Sequence, residues 1–197
     1  MNKQLQALIG CMLLSVPVLS FADDYGMVMD LEGEMRILRD QQELAGDLGE
    51  SVSVGDRLVL AKNSRATIIS YLDCREIIMS GPLEVEVTWD KLKTRHTGRL
   101  SAGRKMPVCY SHEELNSTDS GVIGGLVLRG AATDPAAALR AEFDKGQASN
   151  STLMTLVMHD LANGDTERAR PYFNELRKFS PNSAFVAKVA AHFATAE

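Results

Sequence analysis

Residues 65–79 read RATIISYLDCREIIM. Arg65 to Tyr71 and Arg75 to Met79 are rich in β-branched side chains, which suit a pleated surface, and they flank a short turn at Asp73-Cys74. Strand, turn, strand is the reading. The period continues outward on both sides. Glu34-Met35-Arg36-Ile37 alternates polar with apolar, as does the run from Leu83 to Thr88, and alternation is the mark of a half-buried strand. Turn formers (Gly33, Gly46, Gly49, Gly55-Asp56, Asn63-Ser64, Gly81-Pro82) recur roughly every eight to twelve residues. Met27 to about Cys109 is therefore expected to form a small sandwich or barrel-like β domain.

Beyond that domain the pattern changes. Asn116 to Gly121 is a polar loop, and Gly124-Gly125 interrupts the apolar residues that follow it, so a linker is expected over 116–132. From Asp134 the period is helical. Asp134-Pro135 opens a first helix that Gly146 closes, and Asn150 or Ser151 opens a second ending near Asn163-Gly164. Asp165 caps a third helix running to about Phe179, and Pro171 inside it removes a backbone hydrogen bond. A fourth covers Ser183 to Ala194, with Phe185, Val189 and Phe193 on one face. The expected class is α+β, with a β domain over 23–115 and a helical domain over 133–197.

The first residues read as a secretion signal. Met1-Asn2-Lys3 carries positive charge, Leu5 to about Leu14 is apolar, Pro17 breaks the run, and Ser20-Phe21-Ala22 offers small residues to a peptidase. Cleavage after Ala22 makes 1–22 a signal peptide and the product periplasmic. Leu8-Ile9-Gly10-Cys11 resembles a lipoprotein box, but acylation there would leave the apolar run Met12 to Phe21 as a tether, so Cys11 is disfavoured. The chain carries a formal charge of −5, which gives it no bulk electrostatic reason to seek nucleic acid. Past Ala22 the longest apolar run, Val122 to Leu128, has seven residues, far short of the ~20 of a membrane span.

Without Cys11, two cysteines remain, Cys74 and Cys109, and in an oxidising compartment such a pair is read first as a disulfide. The alternative is a reactive Cys109 thiol with His112 nearby. No G-x-S-x-G, H-E-x-x-H, S-x-x-K or phosphate-binding glycine motif is present, and His112-Glu113-Glu114 lacks a second histidine. A non-enzymatic protein without cofactor or metal is expected. Met27, Met29, Met154, Met158 and His159 could offer soft ligands to Cu(I), but methionine more commonly fills core gaps.

Two stretches carry family resemblances. Leu31-Glu32-Gly33-Glu34-Met35, Val54-Gly55-Asp56-Arg57-Leu58, Asn63-Ser64-Arg65-Ala66-Thr67-Ile68, Leu72-Asp73, Ile77 and Gly81-Pro82-Leu83-Glu84-Val85 fall in an order that resembles the FecR domain over about 28–87. That family is the periplasmic sensory portion of ferric-citrate-type regulators. Cys74 stands where the family usually has glycine. Regulators of sigma factors carry a cytoplasmic segment and a membrane span before this domain, so direct anti-sigma action does not carry over. Leu153, Leu156, Val157, Gly164-Asp165, Ala169, Phe173, Leu176 and Pro181 resemble one tetratricopeptide repeat over about 150–181, with Asp160 where that family prefers tyrosine. One repeat cannot bury its own apolar faces.

Together these imply an extracytoplasmic interaction or envelope-sensing module that binds another envelope or membrane protein. Its candidate surface is a groove for a partner helix bordered by Leu153, Val157, Phe185 and Val189. The alternative is a module holding cell-wall or anionic lipid or glycan material through Lys91, Lys93, Arg95, Arg99, Arg104 and Lys105, a basic run without an acid. Trp89 and Tyr71 are candidate exposed anchors for a glycan or peptide.

Overall fold

The computed structural model describes residues 24–95, 98–109 and 134–195. Within them the chain is α+β, strands first and helices after. The expected signal segment 1–22, the linker 116–132, His96 and His112 lie outside the described residues.

The strands are β1 (Asp24–Glu32), β2 (Met35–Arg39), β3 (Gln42–Ala45), β4 (Ser51–Ser53), β5 (Arg57–Leu60), β6 (Arg65–Ser70), β7 (Arg75–Ser80), β8 (Leu83–Val87), β9 (Leu92–Thr94) and β10 (Arg99–Lys105). They form two antiparallel sheets of five. The first has the order β10-β7-β6-β1-β4 and the second β3-β2-β5-β8-β9. The two sheets face each other across a core that includes Val28, Ile68 and Met79 from the first and Ile37, Leu58 and Val85 from the second. The expected sandwich-like arrangement is what the strands build.

The motif residues hold turns. Asp56 is almost fully buried and accepts from Arg39 Nε at 2.9 Å and Nη2 at 2.7 Å, and from the Ser53 amide at 2.8 Å. One carboxylate thus ties the β2 end to the β4–β5 turn, and its hydrogen bonds hold the Arg39 guanidinium more firmly protonated. Ser64 Oγ accepts from the Glu34 amide at 2.9 Å, linking two further turns. Cys74 has φ of +53°, a left-handed conformation that glycine adopts without penalty.

The helices are α1 (Ala137–Asp144), α2 (Asn150–Ala162), α3 (Thr166–Phe179) and α4 (Ala184–Thr195). Their boundaries follow the caps. Ser149 accepts from the Thr152 amide and Asp165 from the Arg168 amide. Asp134 instead receives the Ala136 amide in a turn just before α1, so this helix starts later than the sequence suggested. α3 runs through Pro171.

The helices cover the outer face of the first sheet. Met27, Met29 and Ile69 belong to the same apolar core as Leu153, Met154, Val157, Phe173 and Val189. β1 and β6 are therefore buried on both faces, and a strand so placed reads as a nearly continuous apolar run. Polar contacts fix the docking. Asn150 Nδ2 donates to Asp30 Oδ1 at 2.7 Å, and the buried Ser183 Oγ donates to the Leu48 carbonyl at 3.1 Å. Gly49, at φ +83°, lies so near α4 that a Cβ there would come within 2.6 Å of Phe185.

Cys74 and Cys109 are bonded, with Cα atoms 5.6 Å apart. The bond joins the β6–β7 turn to the chain leaving β10, and the Met106 amide donates to the Cys74 carbonyl at 2.7 Å beside it. Closing this 35-residue separation restricts the unfolded chain by about 3–4 kcal/mol in the loop-entropy account. The Cys74→Ser, Cys109→Ser double variant is expected to unfold in urea at a lower midpoint by about that free energy. A reductant should bring the wild type to the same midpoint and leave the variant unmoved. Equal midpoints for both proteins without reductant would remove the structural role.

Candidate functional site

The feature best placed for function is an open cleft of about 360 Å³ at one end of the sandwich, where edge strands β9 and β10 approach. Its apolar lining comes from Leu72, Ile77, Leu92 and Leu100, with Tyr25 among them. Tyr25 is almost wholly buried. Burial raises its phenol pKa, the Ser70 hydrogen bond opposes this, and Asp73 and Asp90 add to it. Two ion pairs border the cleft, Arg75–Asp73 at 3.4 Å and Lys91–Asp90 at 3.6 Å. Leu72 is 62% exposed, and Trp89, which directly precedes Asp90, is 65% exposed. Large apolar side chains left in water beside a concave surface mark a contact site more strongly than scattered ones do.

Local sequence explains the geometry. Leu72 lies in the β6–β7 turn after Ser70, where the strand has ended and no neighbour covers it. Trp89 lies between β8 and β9, after the last inward residue Val87. Among the described residues β10 pairs only with β7, and its register shifts between Ala102 and Lys105.

Of the anchors the sequence suggested, Trp89 is exposed, whereas Tyr71 packs against the core below the helices. The proposed partner groove is corrected. Leu153, Val157 and Val189 are buried and Phe185 is half-buried, all packed in the core shared with the first sheet. The sheet's outer face fills the position assigned to a partner helix; of the four, Leu153 also lines an open hollow among the helices, of about 290 Å³, with Phe143 and Phe179. Met27, Met29, Met154 and Met158 are likewise core side chains. Among the described residues no group of three or more His, Cys, Asp or Glu could hold a metal ion. No helix there is long and apolar enough to cross a membrane. The Cys109 sulfur is bonded to Cys74, which removes the thiolate that a reactive cysteine requires.

The basic run is shared between two sheet edges that approach each other at the cleft. Lys91, Lys93 and Arg95 belong to the edge of the second sheet, and Arg99, Arg104 and Lys105 to the edge of the first. Arg95 pairs with Glu86 at 2.6 Å. Arg104 turns inward, where its guanidinium meets Glu142 at 2.7 Å, Glu76 at 3.3 Å and the hydroxyls of Ser149 and Thr152. Burial raises the Glu142 pKa, but hydrogen bonds from Arg104 and Thr152 bring it below the ordinary value. Arg104 is thus a clasp between β10 and helices α1 and α2, and is not available to an external anion. Lys93, Arg99 and Lys105 remain exposed.

A second charged cluster is buried among the helices. Arg140 Nη2 donates to Asp160 Oδ1 at 2.6 Å and Arg140 Nε to Asp134 Oδ2 at 3.1 Å, and His159 Nε2 lies 3.5 Å from Asp134. Asp160 Oδ2 and Arg140 Nη1 are buried without a hydrogen-bond partner. Burial pushes the Asp160 carboxyl up to about 6, with Arg140 and Arg168 opposing. Burial likewise lowers the His159 pKa, Arg140 adds to this, and Asp134 opposes. The cluster is structural: it joins α1 to α2.

This cluster yields a pH signature. The folded value of Asp160, about 6, lies above the ordinary 3.8, so the folded chain keeps a proton that the unfolded chain has released. Stability from this group is full below the ordinary value and declines as pH rises through about 6. Relative to Asp160→Asn, the wild type should lose stability across that window and level off above it, read as urea midpoints at successive pH values. A wild type that gains on the variant as pH rises would mean that the Arg140 pair outweighs desolvation.

No family model, curated protein or solved structure matches this chain.

Proposed function

We propose that the chain is an exported, non-enzymatic module that works by binding another envelope or membrane protein, with a FecR-like β portion and tetratricopeptide-like helices. The observation that carries this reading is the cleft at the β9/β10 end. Leu72, one of the three large apolar side chains most exposed among the described residues, lines it, and a second, Trp89, directly precedes the lining residue Asp90. A bonded cysteine pair suits an oxidising compartment and so supports export. The resemblance of the turn motifs to a sensory domain supports a role in reporting envelope state.

The role assigned to the helices differs from that of a free repeat. They shield the first sheet with their apolar faces, and partner contact falls to the strand edges. The alternative, a wall- or lipid-binding module built on the basic run, has less support. Lys91, Arg95 and Arg104, half of its six residues, are held by carboxylates of the chain itself.

A photo-crosslinking residue placed at position 72 or 89 in intact cells is expected to give a discrete protein adduct. The same residue at Glu43, exposed on β3 at the opposite edge of the second sheet, should give none. Absence of adducts at 72 and 89, or equal adducts at 43, would overturn the reading.

A further inference from the structure

Three properties coincide at the β9/β10 end. The first is an apolar cleft large enough for one or two side chains, open to water at Leu72, with the exposed Trp89 directly before its lining residue Asp90. The second is a strand edge: along Arg99 to Ala102, β10 pairs with β7 on one side, and among the described residues no strand pairs on the other. An unpaired edge presents amides and carbonyls at a strand's spacing and is a template for another extended chain.

The third is charge. The stretch from Lys91 to Lys105 holds no acid, and its exposed Arg99 and Lys105 form no ion pair among the described residues, whereas Lys93 stands in register with Glu86, the carboxylate that also holds Arg95. Lys105 stands in register with Arg75 across β10 and β7, but Arg75 is already paired with Asp73 at 3.4 Å and donates to the Gly103 carbonyl, so the uncompensated charge on this edge is that of Arg99 and Lys105. This basic edge belongs to a chain whose formal charge is −5, so the excess is local. Native sheets do place lysine on edges to discourage pairing. Here the same charge admits an acidic strand and rejects a basic one.

We infer that the β9/β10 end receives an extended acidic segment of a partner protein, added as a strand along Arg99 to Ala102, with an apolar side chain seated in the cleft against Leu72 and Leu100. This rests on the proposed role as a protein-binding module. The unpaired backbone favours a polypeptide over other anions, since a lipid headgroup or acidic glycan makes no use of a strand edge.

The test uses the disulfide-intact mature protein and capped peptides as long as β10. One alternates glutamate and valine, the second alternates lysine and valine, and a third is the first with prolines at alternate positions. Trp89, the single tryptophan of the chain, reports binding by its emission. The glutamate peptide is expected to shift that emission saturably, to weaken as salt is raised, and to slow amide exchange at Leu100 to Ala102. The Arg99→Glu, Lys105→Glu double variant should lose roughly tenfold in affinity, since rim charges contribute modestly each. The lysine and proline peptides should not bind. Equal binding of the proline peptide, or binding without protection on β10, overturns strand addition. Anionic phospholipid vesicles shifting Trp89 while the glutamate peptide does not would overturn both this inference and the protein-binding role. If crosslinks at 72 and 89 capture a protein but the acidic peptide fails to bind, only the chemistry assigned to the partner falls.

Discussion

The middle of the first sheet has no face that tolerates water. β1 and β6 turn Val28 and Ile68 toward the second sheet, and Met27, Met29 and Ile69 outward. Both sides must be covered. The second sheet covers one, and the helices cover the other with Leu153, Met154, Val157 and Val189. The four helices have the converse problem, since their apolar side chains need a surface to bury against. Each part meets the other's need, and the polar contacts Asn150–Asp30, Ser183–Leu48 and Arg104–Glu142 set the register of the docking.

That mutual burial determines where contact with other molecules can occur. The apolar helical side chains Leu153, Met154, Val157 and Val189 are used internally. Among the described residues, the end of the sandwich where β9 and β10 form edges stays open, and the turns there leave Leu72 and Trp89 in water. The Cys74–Cys109 bond lies at this end too, holding the β6–β7 turn to the exit of β10. A surface built on turns and edges keeps its shape only if they are pinned, and the disulfide supplies that pin.

Most of the secondary structure was legible from local signals. Alternation in Leu83 to Val87, β-branched runs in β6 and β7, and the caps at Asp165 and Gly164 act over a few residues and so appear in the sequence directly. The cysteine pairing followed from counting. The docking was not legible, because it depends on which apolar face meets which. Met27 and Met29 alternate with Val28 along β1, and with the apolar run RATIIS they could have shown that a second layer must cover the sheet. The partner groove failed for that reason. The placement of the basic run was hidden for another reason: sequence spacing does not reveal that β9 and β10 belong to different sheets, or that Glu142, distant in sequence, claims Arg104. Leu72 gave no periodic signal, since it lies in a turn; only an apolar residue among polar turn formers pointed to it.

Hydroxyl-radical footprinting of the disulfide-intact protein tests most directly the claim that the helices close the sheet and leave the β9/β10 end open. Leu72 and Trp89 should label at rates near those of the unfolded chain. Met27, Met29, Met154 and Met158, intrinsically among the most reactive side chains, should be strongly protected. Methionines labelling as fast as in the unfolded chain, or a protected Trp89 in the isolated protein, would contradict this account.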